Sequence, residues 1–189
     1  MIPVGYMYKR IAAKPDWLKA ETVVDVYSLS HCVSNDFADY INFWKHNGYW
    51  LFDSPKVIEE LATTENIDLS GTSLFYYEAY EFEFDENSNQ WLTFKPEPLF
   101  ATDVRIPTNM HLEGFDVTTF YAHTSPECSP LSCNSLATEI PVNQHCLFNT
   151  FAEAKNAIDG GLFKNSEPGP YRIFSVYTQG NHPVGWISA

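Results

Sequence analysis

The sequence predicts an α+β fold: a mostly antiparallel sheet with three to four helices packed on it. Three observations lead to this prediction. Segments rich in β-branched and aromatic residues alternate with turn-forming residues along much of the chain. Three other segments carry apolar residues at helical spacing between a capping residue and a stop signal. The 189 residues are enough for one full hydrophobic core, and aromatic residues make up 16% of them.

Three helices are predicted from their caps and apolar spacing. The first occupies residues 35–48, in which four large apolar side chains share one helical face. The second follows Ser54, an N-cap residue, and has Pro55 at its first helical position. The third occupies residues 149–161, with Asn149 or Thr150 as its cap and two glycines that stop it. Each has the length of an ordinary helix in a globular protein.

The predicted strands fill most of the remaining chain. Their composition is β-branched and aromatic in residues 22–30, 73–84, 115–122 and 171–179. A polar loop at residues 85–89 joins the second of these strands to a further one at 90–96, which is typical of a hairpin. Aromatic side chains alternate with carboxylates near the end of the 73–84 strand, so we expect those carboxylates to face solvent.

Two parts of the chain share a pattern that indicates an internal duplication. Residues 50–62 align with residues 146–158: Leu-Phe, then Asp or Asn, then Ser or Thr as a cap, then a helix. Further upstream, residues 25–32 align with residues 116–124, and a strand follows each helix. Identities are few, and capped helices after strands are common, so chance similarity is the alternative explanation.

A duplication predicts two pseudo-symmetric β-α-β halves, residues 1–98 and residues 99–189, packed as one compact unit. In this alignment His31 and His123 each follow the first strand of a half and begin a loop that carries cysteines. Loops at equivalent strand ends meet when two halves pack about a twofold axis. We therefore expect the imidazoles and thiols to share one cleft.

The segment AHTSPECSPLSCN, residues 122–134, holds the candidates for nucleophilic catalysis. A helix that starts after Ser132 would place a cysteine in its first turn, where the helix dipole favours a thiolate. Either histidine is then the candidate base, and the asparagine orients it or donates to an oxyanion. The candidate catalytic residues are Cys128, Cys133, His31, His123 and Asn134. No local signature of a known cysteine-hydrolase family accompanies them.

Two other interpretations apply to the same segment. Thiolate and imidazole ligands suit zinc, and the candidate ligand set is His123, Cys128, Cys133 and Cys146. Their spacing differs from that of a zinc knuckle, and a core of this size needs no metal, so no metal or other cofactor is favoured. His145 and Cys146 are also expected in a strand, where their side chains point to opposite faces. In the structural interpretation, Pro130 fixes a turn and the cysteines are core residues.

The charge favours a protein-binding function. The chain has 24 carboxylates against 11 Lys and Arg residues, a net charge of −13. Such a field repels nucleic acids and anionic membranes and attracts basic proteins, although it also serves solubility alone. The leading hypothesis is an inhibitor, immunity protein or adaptor that binds a basic protein partner. The alternatives are a small enzyme with a Cys/His pair in the 122–134 loop, and a zinc-binding or small-molecule-sensing protein.

The sequence also predicts the compartment. The first 17 residues lack the pattern of a signal peptide, and no apolar run approaches the roughly 20 residues that cross a bilayer. We therefore expect a cytoplasmic protein whose four cysteines are free thiols.

Overall fold

The computed structural model describes residues 1–30, 32–33, 47–94, 103–120 and 126–179. The strands are β1 (Ile2–Lys9), β2 (Ala12–Ala13), β3 (Asp25–Val26), β4 (Ser73–Asp85), β5 (Gln90–Thr93), β6 (Met110–Thr119) and β7 (Tyr171–Gln179). The helices are α1 (Pro55–Glu65), α2 (Pro130–Cys133) and α3 (Phe151–Asp159), and a 3₁₀ turn follows α2 at Leu136–Thr138. The predicted α+β fold with a mostly antiparallel sheet is confirmed.

The main sheet has five antiparallel strands. Its strand order is β1-β4-β7-β6, and β5 pairs with the end of β4 as the second arm of a hairpin. β2 and β3 form a separate two-stranded sheet. One buried hydrophobic cluster is built mainly from β1, α1 and β4, and a second mainly from β6, α3, β7 and the segment between β6 and α3. Within the described ranges, no helix has the length and apolar character to span a bilayer.

The second and third predicted helices are confirmed as α1 and α3. Ser54 is the N-cap residue of α1. Thr150 and Glu153 form a reciprocal capping box at α3, because each side chain accepts a hydrogen bond from the other residue's backbone amide. The helix predicted over residues 35–48 lies outside the described residues except for its last two positions.

The strand predicted over residues 22–30 is wrong for most of its length, because only Asp25–Val26 pairs with another strand. The backbone amides of Val24 and Tyr27 instead donate to the carbonyls of residues 144 and 145, at 2.8 and 3.1 Å. The β-branched composition therefore reflects a buried, irregular segment that runs beside a turn of the second part of the chain.

The expected solvent-facing row of carboxylates on β4 holds for Glu81 but not for Glu83. The alternation is kept, because Tyr80 and Phe84 both contact the Trp91 ring on one face, and Glu83 is covered on the other face by Arg172, its neighbour on β7. Glu83 Oε2 accepts hydrogen bonds from Nε and Nη2 of buried Arg172, at 2.9 and 2.8 Å. The guanidinium carbon lies 3.4 Å from the ring centre of Phe94 and 3.9 Å from that of Phe120. This buried ion pair joins β4 to β7.

Two parts of the structure repeat the same close backbone approach. A Cβ atom added to Gly5 would lie 2.7 Å from the carbonyl oxygen of Phe52, and one added to Gly114 would lie 2.6 Å from that of Phe148. In each case the residue after the glycine exchanges two backbone hydrogen bonds with the phenylalanine. Both glycines also have positive φ angles, +137° and +153°. Only glycine therefore fits at these two positions without rearrangement.

An asparagine organises the turn that each glycine faces. The side-chain oxygen of Asn47 accepts from the amides two and four residues further on, at 3.0 and 3.3 Å, and that of Asn143 does the same at 2.9 and 3.1 Å. The side-chain nitrogen of each asparagine donates at 2.7 Å to the carbonyl of the residue before the glycine. The two turns therefore have one hydrogen-bond pattern.

These contacts support the alignment of residues 50–62 with residues 146–158. They equate β6 with β1, however, whereas the sequence alignment equated residues 116–124 with residues 25–32. The two alignments differ because the close contacts of Gly5 and Gly114 set the register of the units in the structure, and the sequence alignment did not include these glycines. The duplication stays a proposal, with the units β1-α1-β4 and β6-α3-β7, and the expected boundary at residues 98–99 lies outside the described residues.

We predict that Gly5→Ala and Gly114→Ala each lower the free energy of unfolding by about 3 kcal/mol, from the clash and the unfavourable φ together. Gly71→Ala is the matched control, because Gly71 has φ +70° but an added Cβ would meet no atom within 4 Å. It should lose only about 1 kcal/mol. Urea unfolding of the three variants makes the comparison, and equal losses would contradict the close approach at the two repeated glycines.

Candidate functional site

A buried lysine fixes the segment that leads to Cys32. Lys9, at the end of β1, has no solvent exposure, and its Nζ donates to the carbonyls of residues 28, 29 and 30 at 2.7, 2.8 and 3.1 Å. A buried ammonium group requires hydrogen-bond acceptors in place of water, and these three carbonyls supply them. The backbone just before Cys32 is thereby tied to the sheet.

A buried aspartate fixes the same segment from the other side. Asp116, on β6, is 1% exposed, and its Oδ2 accepts from Leu29 N at 2.7 Å and from Ser129 Oγ at 2.6 Å. Its other oxygen, Oδ1, is buried without a hydrogen-bond partner in the part of the chain that the structure describes. Burial raises the pKa of Asp116 to about 6, although the bonds from Ser129 and Leu29 oppose that shift.

Two buried serines join the loop after β3 to the loop before α2. Ser129 N donates to Ser30 Oγ at 3.1 Å, and Ser30 N donates to Ser129 Oγ at 3.4 Å. Neither serine is exposed. Ser30 Oγ also lies 3.7 Å from Cys133 Sγ. The two loops that carry cysteines are therefore linked directly.

Three thiols meet where these loops join, and we call Cys32, Cys128 and Cys133 the thiol cluster. Side-chain hydrogen bonding with the other two contributes to the pKa of each of these thiols, and the contact of 2.9 Å between Cys32 Sγ and the Glu127 carbonyl joins the two loops next to Cys128. Cys32 is exposed, Cys133 is half-buried and Cys128 is buried. Cys128 Sγ also donates to Asn134 Oδ1 at 3.4 Å. All four cysteines of the chain are free thiols.

The cluster stabilises the thiolate of its most exposed member. Hydrogen bonds from Cys128 and Cys133, together with one from Ser30, lower the pKa of Cys32. Burial and the nearby charge of Glu167 oppose this shift. The Glu127 carbonyl, 2.9 Å from Cys32 Sγ, also favours the protonated thiol. Because the pKa is lowered for Cys32 and raised for Cys128 and Cys133, Cys32 is the thiol of the cluster that ionises first.

The other two thiols are held in their protonated form. The pKa of Cys128 is raised, because hydrogen bonding with Cys133 and Cys32 favours its protonated form and because the thiol is buried. The pKa of Cys133 is also raised: a hydrogen bond from Cys128 lowers it, but the interaction with Cys32 and burial outweigh that effect. One ionised thiol with two protonated neighbours is therefore the favoured charge state of the cluster.

The helix-dipole argument for Cys133 is wrong. The short helix begins at Pro130, with Ser129 as its N-cap residue, and Cys133 is its last residue. Proline at the first position starts the helix earlier than the sequence analysis expected. The C-terminal end of a helix carries partial negative charge, which disfavours a thiolate there.

Some of the predicted site residues lie together. Cys128, Cys133 and Asn134 are close neighbours, whereas His31 and His123 lie outside the described residues. The side-chain oxygen of Asn134 accepts from Cys128 Sγ at 3.4 Å and from the backbone amide of Glu167 at 3.3 Å. The catalytic roles of the five residues stay predictions.

Cys32 is the residue that the sequence analysis left out of the candidate set. The sequence did indicate Cys32, because it lies in one of the two cysteine-bearing loops that were expected to share a cleft. Its proximity to the other thiols depends on the contacts of Lys9 and Asp116, which connect positions far apart in the sequence. No local pattern marks such contacts.

Cys146 lies apart from the thiol cluster. It is 2% exposed and packs in the hydrophobic cluster around α3, in the turn that Asn143 organises and not in a strand. Burial raises its pKa to about 12, with further contributions from the charges of Asp116 and Cys133. Among the residues that the structure describes, no group of three or more His, Cys, Asp or Glu side chains is arranged to hold a metal ion.

A second titratable cluster surrounds His145. Its Nδ1 lies 2.5 Å from Asp25 Oδ1, and its Nε2 lies 3.1 Å from Gln144 Nε2 and 3.6 Å from Glu113 Oε2. The ring stacks on Tyr27 with centres 4.0 Å apart. Because its ring nitrogens contact Asp25 and the neighbouring Gln144, this histidine anchors β3 to the turn that Asn143 organises.

Comparison with known proteins identifies no relative: the chain matches no protein-family model, no curated protein and no solved structure. No family is assigned. The functional argument rests on the geometry of the thiol cluster and of the buried groups behind it.

We predict that Lys9→Met lowers the free energy of unfolding by about 3 to 5 kcal/mol, because three buried carbonyls lose their donor while the apolar packing is kept. Lys56→Met is the control, since the Lys56 side chain is 81% exposed. It should leave the unfolding free energy nearly unchanged. Chemical denaturation measures the unfolding free energy of both variants. A Lys9 variant as stable as the control would refute the stabilising role of the three hydrogen bonds from Lys9.

Proposed function

We propose that this protein carries out thiol–disulfide exchange, with Cys32 as the attacking thiolate and Cys133 as the resolving thiol. The single observation behind the proposal is the thiol cluster: an exposed cysteine, favoured as thiolate, within reach of two protonated thiols. Redox-active cysteines are typically accessible, have a low pKa and lie next to a resolving cysteine.

The choice between the two resolving candidates follows from their surroundings. Cys128 is buried and donates to the side chain of Asn134. Cys133 is half-buried and lies beside the hydroxyl of Ser30, on the loop that carries Cys32. A resolving thiol must approach the Cys32 sulfur after a substrate group is attached there, so the more accessible Cys133 is better suited.

The exchange proceeds in two balanced steps. The Cys32 thiolate attacks one sulfur of a substrate disulfide, which forms a mixed disulfide and releases the first substrate thiolate. Cys133 then loses its proton and attacks Cys32 Sγ, which forms the Cys32–Cys133 disulfide and releases the second substrate thiolate. The substrate disulfide is reduced and the protein dithiol is oxidised. An external dithiol or glutathione then reduces the Cys32–Cys133 disulfide and restores both thiols, as expected in a compartment such as the cytoplasm.

The other functional hypotheses relate to this proposal in different ways. A hydrolase would need one of the two histidines as its base, and both lie outside the described residues. The basic protein partner stays a prediction, and the exchange proposal gives it a concrete form: a cationic substrate that carries a disulfide.

We predict that one thiol reacts with iodoacetamide at least about tenfold faster than the others at pH 7, and that this thiol is Cys32. The sequence analysis instead pointed to Cys128 or Cys133. Peptide mass spectrometry after brief alkylation identifies the modified residue. The labelling rate should fall only at acidic pH, because the pKa of Cys32 is lowered.

Two variants provide the controls for this experiment. Cys32→Ser should remove the fast-labelling thiol, and Cys146→Ala should leave it in place, since Cys146 is buried outside the cluster. Slow and equal labelling of all four thiols in the folded protein would contradict the proposal. So would fast labelling that persists in Cys32→Ser.

The net charge predicts the preferred substrate class. We expect the cationic disulfide cystamine to oxidise the protein faster than the anionic dithiodiglycolate, because the net charge is −13 and the charge of Glu167 acts on Cys32. Each rate is divided by that of the same disulfide with neutral β-mercaptoethanol, which removes their intrinsic difference in reactivity. The corrected ratio should be about tenfold at low ionic strength and should shrink with added salt. A corrected ratio near one at low salt would contradict the preference for cationic disulfides.

A further inference from the structure

The hydroxyl group of Ser30 contacts one of the sulfur atoms that react in the proposed exchange. Ser30 has no solvent exposure, and its Oγ lies 3.7 Å from Cys133 Sγ, although the two residues are 103 positions apart in the sequence. Ser30 is also two residues before Cys32. A buried hydroxyl therefore lies on the loop of the attacking cysteine and against the sulfur of the resolving cysteine.

The surroundings of this hydroxyl direct its hydrogen towards sulfur. A serine hydroxyl has one hydrogen to donate and accepts with its oxygen. The backbone amide of Ser129 already donates to Ser30 Oγ at 3.1 Å. While Cys133 is protonated, either partner of the 3.7 Å contact can be the donor. Once Cys133 has lost its proton, its sulfur can only accept, and the hydroxyl of Ser30 becomes the donor.

The position of the hydroxyl is fixed by contacts that involve no thiol. Ser30 N donates to Ser129 Oγ at 3.4 Å, and Ser129 Oγ donates to the buried carboxylate of Asp116 at 2.6 Å. The carbonyl of Ser30 accepts from Lys9 Nζ at 3.1 Å and from Ser28 Oγ at 3.2 Å. A donor that is held in place before charge develops needs no reorganisation when the charge appears.

The second step of the exchange develops negative charge at this sulfur. The thiolate and not the thiol is the attacking species, and the surroundings of Cys133 favour its protonated form. Cys133 is half-buried, so water can take its proton, but water solvates the resulting thiolate only in part. A hydrogen-bond donor at the sulfur replaces some of the missing solvation.

The same hydroxyl serves the two sulfurs in turn. Before the exchange it donates to the thiolate of Cys32 and favours that charged form. When Cys32 enters the mixed disulfide, its sulfur becomes neutral and therefore a weaker acceptor. The donor is then available to Cys133 at the stage when Cys133 must ionise.

We infer that the Ser30 hydroxyl stabilises the Cys133 thiolate as it forms and attacks the mixed disulfide at Cys32. The inference rests on the proposed exchange function. In this step the S–H bond of Cys133 breaks and its proton passes to water. The Cys32–Cys133 bond forms, the bond between Cys32 and the substrate sulfur breaks, and the substrate leaves as a thiolate. Ser30 keeps its own proton throughout.

A pH series distinguishes stabilisation of the thiolate from simple support of the loop. Reduced protein is mixed with cystamine, quenched with acid at intervals and weighed by mass spectrometry, which distinguishes the mixed disulfide from the internal disulfide. In Ser30→Ala the mixed disulfide should still form at Cys32. At pH 7 it should decay about threefold more slowly than in the wild type, because loss of the donor raises the pKa of Cys133 by about one unit.

The order of the rates should reverse at alkaline pH. Above the pKa of Cys133 in the variant, both proteins contain only the thiolate, and a thiolate of higher pKa is the stronger nucleophile. Decay in Ser30→Ala should then be about threefold faster than in the wild type. The two pH profiles therefore cross, which a misplaced loop would not produce.

Matched variants keep the test decisive. Ser28→Ala makes the same substitution two residues away, where the buried hydroxyl donates to the Ser30 carbonyl, and it should leave the decay profile unchanged. Ser30→Thr and Ser30→Val give side chains of the same shape, and only threonine has the hydroxyl. Should Ser30→Ala lose its circular dichroism spectrum, the crossing is sought between the profiles of this pair.

The outcomes distinguish the two proposals. A wild-type protein that forms no mixed disulfide at Cys32 refutes the exchange function itself. Profiles of wild type and Ser30→Ala that do not cross refute only the role of Ser30, whether the rates are equal or differ by one constant factor. A crossing that also occurs in Ser28→Ala refutes it as well.

Discussion

The structure depends on two buried charges that hold one short stretch of backbone. Lys9 binds three consecutive carbonyls of residues 28–30, and Asp116 binds the amide of Leu29 between them. The two charges also interact, since Lys9 opposes the rise in the pKa of Asp116. Because these contacts replace water around both charges, removal of either partner would leave a buried ion with less solvation. The reciprocal hydrogen bonds between Ser30 and Ser129 hold the same stretch against the loop before α2.

The chemistry of the site arises where the two repeated units differ. With Gly5 and Gly114 as equivalent positions, the residue that corresponds to Asp116 in the first unit is Met7, and the one that corresponds to Lys9 in the second unit is Thr118. Each unit therefore supplies one buried charge at a position where the other unit is uncharged.

The sequence predicted the fold class, two of the helices and the β4–β5 hairpin, because caps, apolar spacing and turn residues are local signals. It failed at residues 22–30, whose β-branched composition is satisfied by burial and by bonds to residues 144–145 instead of by strand pairing. It did not indicate the contacts that position Cys32, because Lys9 of β1 bonds to carbonyls 19 to 21 residues further on and Asp116 of β6 bonds to an amide 87 residues earlier. The turns at Asn47 and Asn143 share the sequence pattern N-x-x-x-L-F, which begins three residues before the aligned positions 50 and 146.

Cross-linking of the reduced, folded protein with dibromobimane tests the central claim most directly, because this reagent becomes fluorescent only when it bridges two nearby thiols. A geometry with Cys32 beside Cys128 and Cys133 predicts one bridge per chain, and peptide mapping should find Cys32 joined to one of the other two. The same treatment of Cys32→Ser should give at most a bridge within the second loop. Fluorescence confined to a Cys128–Cys133 bridge in the wild-type protein, with Cys32 modified singly, would contradict the meeting of the two loops and with it the proposed exchange.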